Sequence, residues 1–298
     1  MSPLKQGVAL SVISSILFAT LYYYTTLLYP LEGGAIFAWR VLLGLPAVAL
    51  LVSRARGWGE VGHTARRLRY EPRLWLLLGL SAVLIGTQLL LFMWAPLHGR
   101  ALDVSLGYFL LPLVMVLVGR FLYGERLTRI QTVAVFLAAC GVGHELLRAD
   151  AFSWATAVVM LGYPPYFILR RILRMGALSA LWFDMLFMLP AALWLLSIQD
   201  GNIVDQLRQY PGLWGLIPLL GLISSAALVS YVSASRKLPM GLFGILGYIE
   251  PMLLFWVAFL LLDEPMAAAA WFTYLPIWMA VLMMIGEGLY RWIDSAAK

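Results

Sequence analysis

Charge is scarce in this sequence: Asp, Glu, Lys and Arg together make up 12% of its 298 residues, whereas soluble domains carry about 25%. Cysteine is nearly absent, and the single Cys140 excludes an intrachain disulfide. The three histidines are far apart and lack the spacing of metal ligands, so we expect no metal and no other cofactor. Hydrophobic residues, in contrast, reach 62%, more than a water-soluble core can bury. The composition therefore predicts an integral membrane protein.

Motifs of catalysis and of nucleotide binding are also missing. The sequence contains no His-Glu-x-x-His zinc motif, no Gly-x-Ser-x-Gly nucleophile turn and no Gly-x-x-x-x-Gly-Lys phosphate loop. We therefore expect neither an enzyme nor an ATP-driven pump. The net charge of +6 does not indicate nucleic acid as a partner, because basic residues gather in connections such as 54–72, as in the cytoplasmic loops of membrane proteins.

Ten stretches are long and apolar enough to cross a bilayer, which needs about 20 residues per helix. These stretches are 5–28, 33–53, 73–95, 101–122, 130–147, 151–170, 178–197, 213–235, 240–262 and 270–292. We predict an all-α integral membrane protein of ten transmembrane helices. Placing the N-terminus in the cytoplasm puts most of the 21 Lys and Arg residues on the inner side, so both termini are predicted to be cytoplasmic.

The two halves of the chain resemble one another in the second and seventh of these helices. Each helix has a charged residue six positions before a proline, Arg40 before Pro46 and Asp184 before Pro190. Chance can produce one such match, but a second match in the same order would indicate an internal duplication.

That second match lies in helices four and nine. Each contains a Gly-Tyr pair followed by a proline, with Tyr108 and Pro112 in one and Tyr248 and Pro251 in the other. Five helices is an odd number, so the second half of such a duplication runs through the membrane inverted. This is a common plan of secondary transporters, which bind substrate near the midplane. The predicted repeats are 1–147, with helices one to five, and 151–292, with helices six to ten.

The sequence resembles the RarD-type permeases of the EamA branch of the drug/metabolite transporter superfamily. The resemblance rests on SAVLIGTQLLLFMWA at 81–95 and VSLGYFLLPLVMVLVGRFLYGERL at 104–127, with a weaker echo of the Gly-Glu-Arg turn in Asp-Glu-Pro at 263–265. It implies ten helices in the bacterial inner membrane, with helices one to four and six to nine around a cavity. Helices five and ten would be peripheral. Glu250 departs from the pattern, which has a small uncharged residue before the proline, so the family's substrates cannot be carried over.

Arg40 and Asp184 are candidates for substrate binding because a charge within a membrane helix is costly and usually faces a partner or a wet cavity. The guanidinium of Arg40 would suit a carboxylate or phosphate, and Asp184 an amine. The alternative is a salt bridge, for example between these two residues, that orients helices or acts as a gate.

Four further residues are predicted to bind substrate. Glu250 lies deep in helix nine and could bind a cationic group or exchange protons during transport. Gln88 needs hydrogen-bond partners at the middle of helix three, from a ligand or from another helix. Tyr108 and Tyr248 are the tyrosines that the duplication pairs, although aromatic residues more often serve in packing.

These observations favour a carrier that works by alternating access in the bacterial inner membrane. Its expected cargo is a small polar or zwitterionic metabolite, such as an amino acid or an amino-acid-derived compound, a metallophore included, and the superfamily resemblance implies export. The alternatives are a permease for drugs and toxic compounds and a membrane protein that transports nothing. Beyond the lipid bilayer and the substrate, the sequence predicts no partner, and it leaves monomer and dimer open.

Overall fold

The computed structural model describes residues 3–124, 126–148, 153–199 and 203–297, and these residues form helices and turns without a strand. The helices are α1 (Pro3–Tyr24), α2 (Gly33–Arg54), α3 (Trp58–Tyr70), α4 (Pro72–Trp94), α5 (Ala101–Tyr123), α6 (Arg129–Arg148), α7 (Trp154–Leu173), α8 (Ala177–Ser197), α9 (Ile203–Gln209), α10 (Leu213–Lys237), α11 (Met240–Leu246), α12 (Ile249–Trp256) and α13 (Trp271–Ala297). Short 3₁₀ turns follow α1 and α4 and precede α13, and a π-turn, Val257–Leu261, follows α12.

Eight helical stretches among the described residues are long and apolar enough to cross a membrane. They are Leu4–Leu28, Gly33–Arg54, Pro72–His98, Ala101–Tyr123, Ala177–Ser197, Leu213–Lys237, Leu242–Leu261 and Ala268–Tyr290. Helices satisfy their backbone amides within each segment, which lipid requires. The predicted all-α membrane class is therefore confirmed. Helices α6 and α7, of 20 residues each, occupy the fifth and sixth predicted stretches.

Two connections predicted from the sequence contain helices. The basic connection 54–72 forms α3, which has Glu60 in its first turn and Arg67 and Arg69 in its last. These charges oppose the partial charges of the helix ends and so stabilise them. The polar connection 198–212 contains the short helix α9.

The ninth predicted helix is interrupted. Helix α11 ends at Leu246 and α12 begins at Ile249, with a turn at Gly247 and Tyr248 between them. The cause is Pro251, whose ring clashes with the carbonyl four residues earlier, at Gly247, and which has no N–H to donate. Proline is tolerated in the first turn of a helix, where it stands in α12.

The described contacts divide the chain into two compact units. Unit 1 consists of Met1–Ala19, Gly99–Pro164 and Ser230–Lys298, and unit 2 consists of Thr20–His98 and Pro165–Val229. Each unit therefore draws segments from both of the predicted sequence repeats.

Glycines allow close helix packing within each unit. In unit 2, a Cβ on Gly33 would lie 2.7 Å from the Trp94 Cα, so α2 approaches α4 nearly to backbone contact. In unit 1, a Cβ on Gly141 would lie 2.6 Å from the Thr273 carbonyl oxygen, where α6 meets α13. Small residues serve this purpose in membrane proteins, where dispersion contacts replace the hydrophobic effect between helices.

Candidate substrate-binding groups

Asp184 accepts two side-chain hydrogen bonds and faces an arginine. Its side chain on α8 is buried in unit 2, with a residue exposure of 1%. Oδ1 accepts a hydrogen bond of 2.8 Å from Ser81 Oγ on α4, and Oδ2 accepts one of 3.0 Å from the Tyr166 hydroxyl on α7. Arg170 Nη1 lies 3.9 Å from Oδ2. The carboxylate thus joins three helices.

Arg170 lies in the last turn of α7, and its side chain is only 16% exposed. Its guanidinium carbon lies 5.8 Å from the centre of the Tyr166 ring, a distance suited to a cation–π contact. Sequence reasoning missed Arg170 as a partner of Asp184. A usable signal was its position 14 residues before Asp184, across a short turn, since two antiparallel helices bring such residues together.

Arg40 forms a second polar position in unit 2. Its residue exposure is 8%, and Nε donates a hydrogen bond of 2.9 Å to Ser224 Oγ on α10. The guanidinium carbon lies 5.5 Å from the centre of the Phe92 ring. Gln88, which is also buried, precedes Phe92 by one turn of α4 and so lies on the same helix face. The structure thus places Gln88 on the side of α4 that faces Arg40.

Arg40 and Asp184 lie at different depths of unit 2. A Cβ on Gly34 would contact Leu195 at 3.4 Å and one on Gly44 would contact Met185 at 3.7 Å, so α2 and α8 are antiparallel. By this register Arg40 is level with a position of α8 about five residues beyond Asp184, or about 7.5 Å along the axis. The ion pair at Asp184 is formed by Arg170, and the two predicted residues belong to separate polar clusters.

In unit 1, Tyr108 on α5 lies level with Tyr248 in the turn before α12. Ser105 Oγ donates a hydrogen bond of 3.2 Å to the Pro251 carbonyl, and Glu264 contacts the first residues of α5, so α5 and α12 are antiparallel. Tyr108 follows Ser105 by three residues and Tyr248 precedes Pro251 by three. The hydroxyls of Tyr108 and Tyr163, on α7, are 3.0 Å apart.

Glu250 lies in the first turn of α12, directly after the helix interruption. Tyr231 on α10 is an electrostatic neighbour of this carboxylate. The Tyr231 ring packs edge-to-face against Phe243, with centroids 5.0 Å apart, and against Phe18 at 6.4 Å. A carboxylate beside aromatic rings is an environment that favours organic cations.

Glu264, in the Asp-Glu-Pro turn, caps helix α5. Its two carboxylate oxygens accept hydrogen bonds from the backbone N–H groups of Ala101 at 2.6 Å and Leu102 at 2.7 Å. Burial raises the pKa of the Glu264 carboxyl above its ordinary value of 4.5, although both amides oppose the shift. Glu125, its counterpart in the first half, lies outside the described residues.

A third polar cluster, which the sequence did not indicate, joins α6 and α13 in unit 1. The Thr273 hydroxyl donates to Glu145 Oε2 at 2.7 Å and lies 3.0 Å from His144 Nδ1. Since the hydroxyl has one proton and gives it to the carboxylate, His144 Nδ1 is the donor in its own bond. Throughout the described part of the chain, no group of three His, Cys, Asp or Glu residues is arranged to hold a metal ion.

Comparisons with known proteins place this architecture in a family. No protein-family model matches the chain. A relative in Pseudomonas aeruginosa named chloramphenicol-sensitive protein RarD, however, is 50% identical over 282 residues, which cover 93% of each chain. This chain belongs to the RarD family. An uncharacterized transporter of Haemophilus influenzae is 36% identical over 286 residues, covering 96% of this chain and 95% of its own.

More distant RarD relatives also match over nearly their full length. Protein RarD of Escherichia coli is 28% identical over 287 residues, covering 96% of both chains. A solved crystal structure superposes with a TM-score of 0.55 at 16% identity, over 93% of this chain and 96% of that one, which shows a shared fold. The resemblance to RarD-type permeases is thus confirmed. The names and the apolar helices identify a multi-pass transporter of the bacterial inner membrane, and they point away from an enzyme.

Proposed function

We propose that this RarD-family chain exports a small polar or zwitterionic metabolite by alternating access. Its ten membrane helices would include α6 and α7, and would form two inverted repeats, 1–147 and 151–292, with both termini in the cytoplasm. An amino acid or an amino-acid-derived compound fits the mixture of buried positive and negative groups better than an apolar cargo does. Such a cargo needs partners of both signs, because unpaired charge in a low-dielectric interior is costly.

The observation that carries the proposal is the interrupted helix formed by α11 and α12. The interruption at Gly247 and Tyr248 is followed at once by Glu250 and Pro251. Gly247 and Tyr248 keep right-handed helical backbone angles, so the break lies in the hydrogen-bond ladder, where Pro251 has no N–H to offer the Gly247 carbonyl. In secondary transporters, backbone groups freed by breaks in membrane helices contribute to substrate and coupling-ion sites. An ionisable residue beside such an interruption is a functional candidate in its own right.

The predicted residues have distinct roles in this proposal. Arg40, held by Ser224 and resting on Phe92, would bind the substrate carboxylate together with Gln88. In unit 1, Glu250 would bind a cationic group of the substrate or exchange protons during the transport cycle. Tyr108 and Tyr248 would supply hydroxyls.

Asp184 in unit 2 would have one of two roles. If its ion pair with Arg170 opens, the carboxylate would bind the substrate; if the pair persists, it would act as part of a gate. The long 3.9 Å separation in this ion pair leaves both roles available. The variant Asp184→Glu distinguishes the two roles. It keeps the charge and should therefore keep a working gate. It moves the carboxylate oxygens and should therefore weaken a substrate contact.

The test begins with metabolite profiles of cells that express or lack the protein, followed by uptake of the leading candidates into proteoliposomes. We expect substrate accumulation to depend on the protein and to fall at least tenfold in Arg40→Gln and Glu250→Gln. Glu32→Gln, which removes an exposed carboxylate that caps nothing through its side chain, should transport normally. Equal responses of wild type and Glu250→Gln at every imposed pH gradient would reject proton coupling, and folded protein without transport would favour a non-transporting role.

A second candidate function, efflux of a drug or toxic compound, is favoured by one observation. The relative in Pseudomonas aeruginosa is named for chloramphenicol sensitivity. Expression of this chain in a susceptible strain should then change the inhibitory concentration of chloramphenicol. An unchanged concentration, with the protein present in the membrane, would leave the metabolite carrier as the better account.

A further inference from the structure

Helix α3 lies at the surface of the bilayer. It begins at Trp58, shortly after the membrane-spanning stretch Gly33–Arg54, and ends at Tyr70, immediately before the stretch Pro72–His98. Because α3 is joined to a membrane span by a few residues at each end, it cannot extend far from the membrane. Its 13 residues are therefore held at the level of the lipid headgroups.

The apolar stripe of α3 is already used within unit 2. Val61, Thr64 and Leu68, spaced at i, i+3 and i+7, are buried. The Thr64 hydroxyl lies 3.2 Å from the Ser179 hydroxyl on α8, and Trp75 Nε1 on α4 donates to the Leu68 carbonyl at 3.0 Å. This face packs against α4 and α8, so α3 does not insert an apolar face into lipid.

The remaining faces are dominated by arginine. Exposed guanidinium groups on α3 and at the adjoining helix ends form what we call the α3 arginine surface. It consists of Arg54, Arg56, Arg66, Arg69 and Arg73. Arg67 Nη1 donates to the Leu173 carbonyl at 3.4 Å, so the end of α7, with exposed Arg171, and the turn after it, with exposed Arg174, adjoin this surface.

The acidic residues of this region are Glu60 and Glu71, which are too few to neutralise the arginine surface. Both oxygens of Glu71 accept hydrogen bonds from Arg67, at 3.1 Å and 3.2 Å. The Glu60 carboxylate lies directly against Gly176, in the turn between α7 and α8, where a Cβ would collide with it. Because Glu71 is paired with Arg67, Glu60 is the one acidic residue of 54–73 left against the five arginines, and the arginine surface keeps a net positive charge.

We propose that the α3 arginine surface binds the headgroup phosphates of anionic phospholipids in the inner membrane. The guanidinium fork matches two phosphate oxygens, which a point charge does not. Trp58 and Tyr70 stand at the two ends of α3 and are exposed, as aromatic residues at a membrane interface often are. Because α3 rests on α8, bound lipid would also hold the turn between α7 and α8.

The proposal can be tested by native mass spectrometry of the full chain titrated with phosphatidylglycerol or phosphatidylcholine. We expect preferential binding of phosphatidylglycerol that weakens with added salt. Arg66→Gln with Arg69→Gln should weaken this binding by about fivefold per arginine, the factor that corresponds to about 1 kcal/mol for each basic residue near an anionic surface. Replacing the same pair with lysine keeps the charge but removes the fork, so binding of phosphatidylglycerol should fall between that of the wild type and that of the glutamine variant.

A matched control removes two arginines elsewhere. Arg100→Gln with Arg208→Gln has the same net charge, and both residues are exposed partners of nearby aspartates. This control should bind phosphatidylglycerol as the wild type does. Equal weakening in the control, no preference over phosphatidylcholine, or unchanged binding in the Arg66/Arg69 variant would each overturn the proposal. So would full displacement of the lipid by millimolar inorganic phosphate, which would indicate a site for a soluble anion. Thermal unfolding in detergent verifies that each variant is folded.

Discussion

Arg170 faces Asp184 across 3.9 Å in the interior of unit 2, too far for a hydrogen bond but near enough for strong charge attraction. The direct hydrogen bonds to the carboxylate come from neutral groups, Ser81 and Tyr166. The two hydroxyls fix the position of the carboxylate, while Arg170 balances its charge. This division of roles makes the charge and the geometry separable by mutation.

Replacing Asp184 with alanine should destabilise the protein by about 3 kcal/mol, because it leaves the largely buried Arg170 without its counter-charge. Asp184→Asn should cost less, since it can still accept from Ser81. The measurement is the free energy of unfolding in detergent.

The double variant Arg170→Met with Asp184→Leu serves as the control for charge. It should lose less stability than the two single changes summed, which a double-mutant cycle measures directly. Additive effects would mean that the two charges do not interact.

Hydropathy was sufficient to predict where most helices lie. Helices α2 and α5 agree with the stretches 33–53 and 101–122 to within a residue at each end, since a run of apolar residues in lipid has few alternatives to a helix. The stretch 54–72 was predicted only as a basic connection, and hydropathy gave no indication of α3, whose terminal charges favour a helix there. Pro251 indicated a break in the helix at Gly247, four residues earlier. The long apolar run led instead to the prediction of one continuous helix at 240–262.

The hydrogen-bond partners of the candidate residues could not be predicted from the sequence. Asp184 and Arg40 were singled out because charge in a membrane helix is costly, and both are buried. Their partners Ser81 and Ser224 are small residues on other helices, more than 100 positions away in the sequence, and nothing in a single sequence marks such pairings. Whether these residues bind substrate stays a prediction.

Glu264 should make stability depend on pH in a defined direction. Burial raises the pKa of its carboxyl in the folded protein, so between the ordinary value of 4.5 and the raised value the native state binds more protons than the unfolded state. Stability should then fall as pH rises through this window. Glu264→Gln should remove this part of the slope in thermal unfolding measured from pH 4.5 upward.

The neighbouring Asp263 supplies the control for that slope. It is exposed and has a positive φ of 49°, a conformation that asparagine also adopts, so Asp263→Asn should leave the slope unchanged. Separately, Glu264→Ala should cost about 1–2 kcal/mol, because it leaves two N–H groups of α5 without their acceptor. A slope equal in wild type and Glu264→Gln would contradict the assignment.

Two glycines of α6 should respond to alanine in opposite directions. Gly141→Ala places a methyl group 2.6 Å from the Thr273 carbonyl oxygen and should cost about 1–3 kcal/mol through overpacking. Gly143 has open space where its Cβ would be, so Gly143→Ala should stabilise the protein by about 0.5–1 kcal/mol through helix propensity. Melting temperatures that shift in the same direction for both would contradict the packing of α6 on α13.

Thr273 should matter through its hydroxyl. Thr273→Val keeps the shape but removes the group that bonds both Glu145 and His144, and it should cost about 1–3 kcal/mol. Thr273→Ser retains the hydroxyl and should behave more nearly like the wild type. Unchanged stability in Thr273→Val, together with a loss in Thr273→Ser, would show that the methyl contact and not the hydrogen bonds governs the effect.

The π-turn Val257–Leu261 determines the direction, about the helix axis, in which the residues directly after it point. The Leu262 N–H bonds to the Val257 carbonyl five residues earlier at 3.0 Å, one residue more than an α-helix would use. Deleting a single residue here would restore regular α-helix and turn the succeeding segment by about 100°. The Glu264 carboxylate would then move away from the first amides of α5, so the one extra residue in the π-turn keeps the cap of a different helix in place.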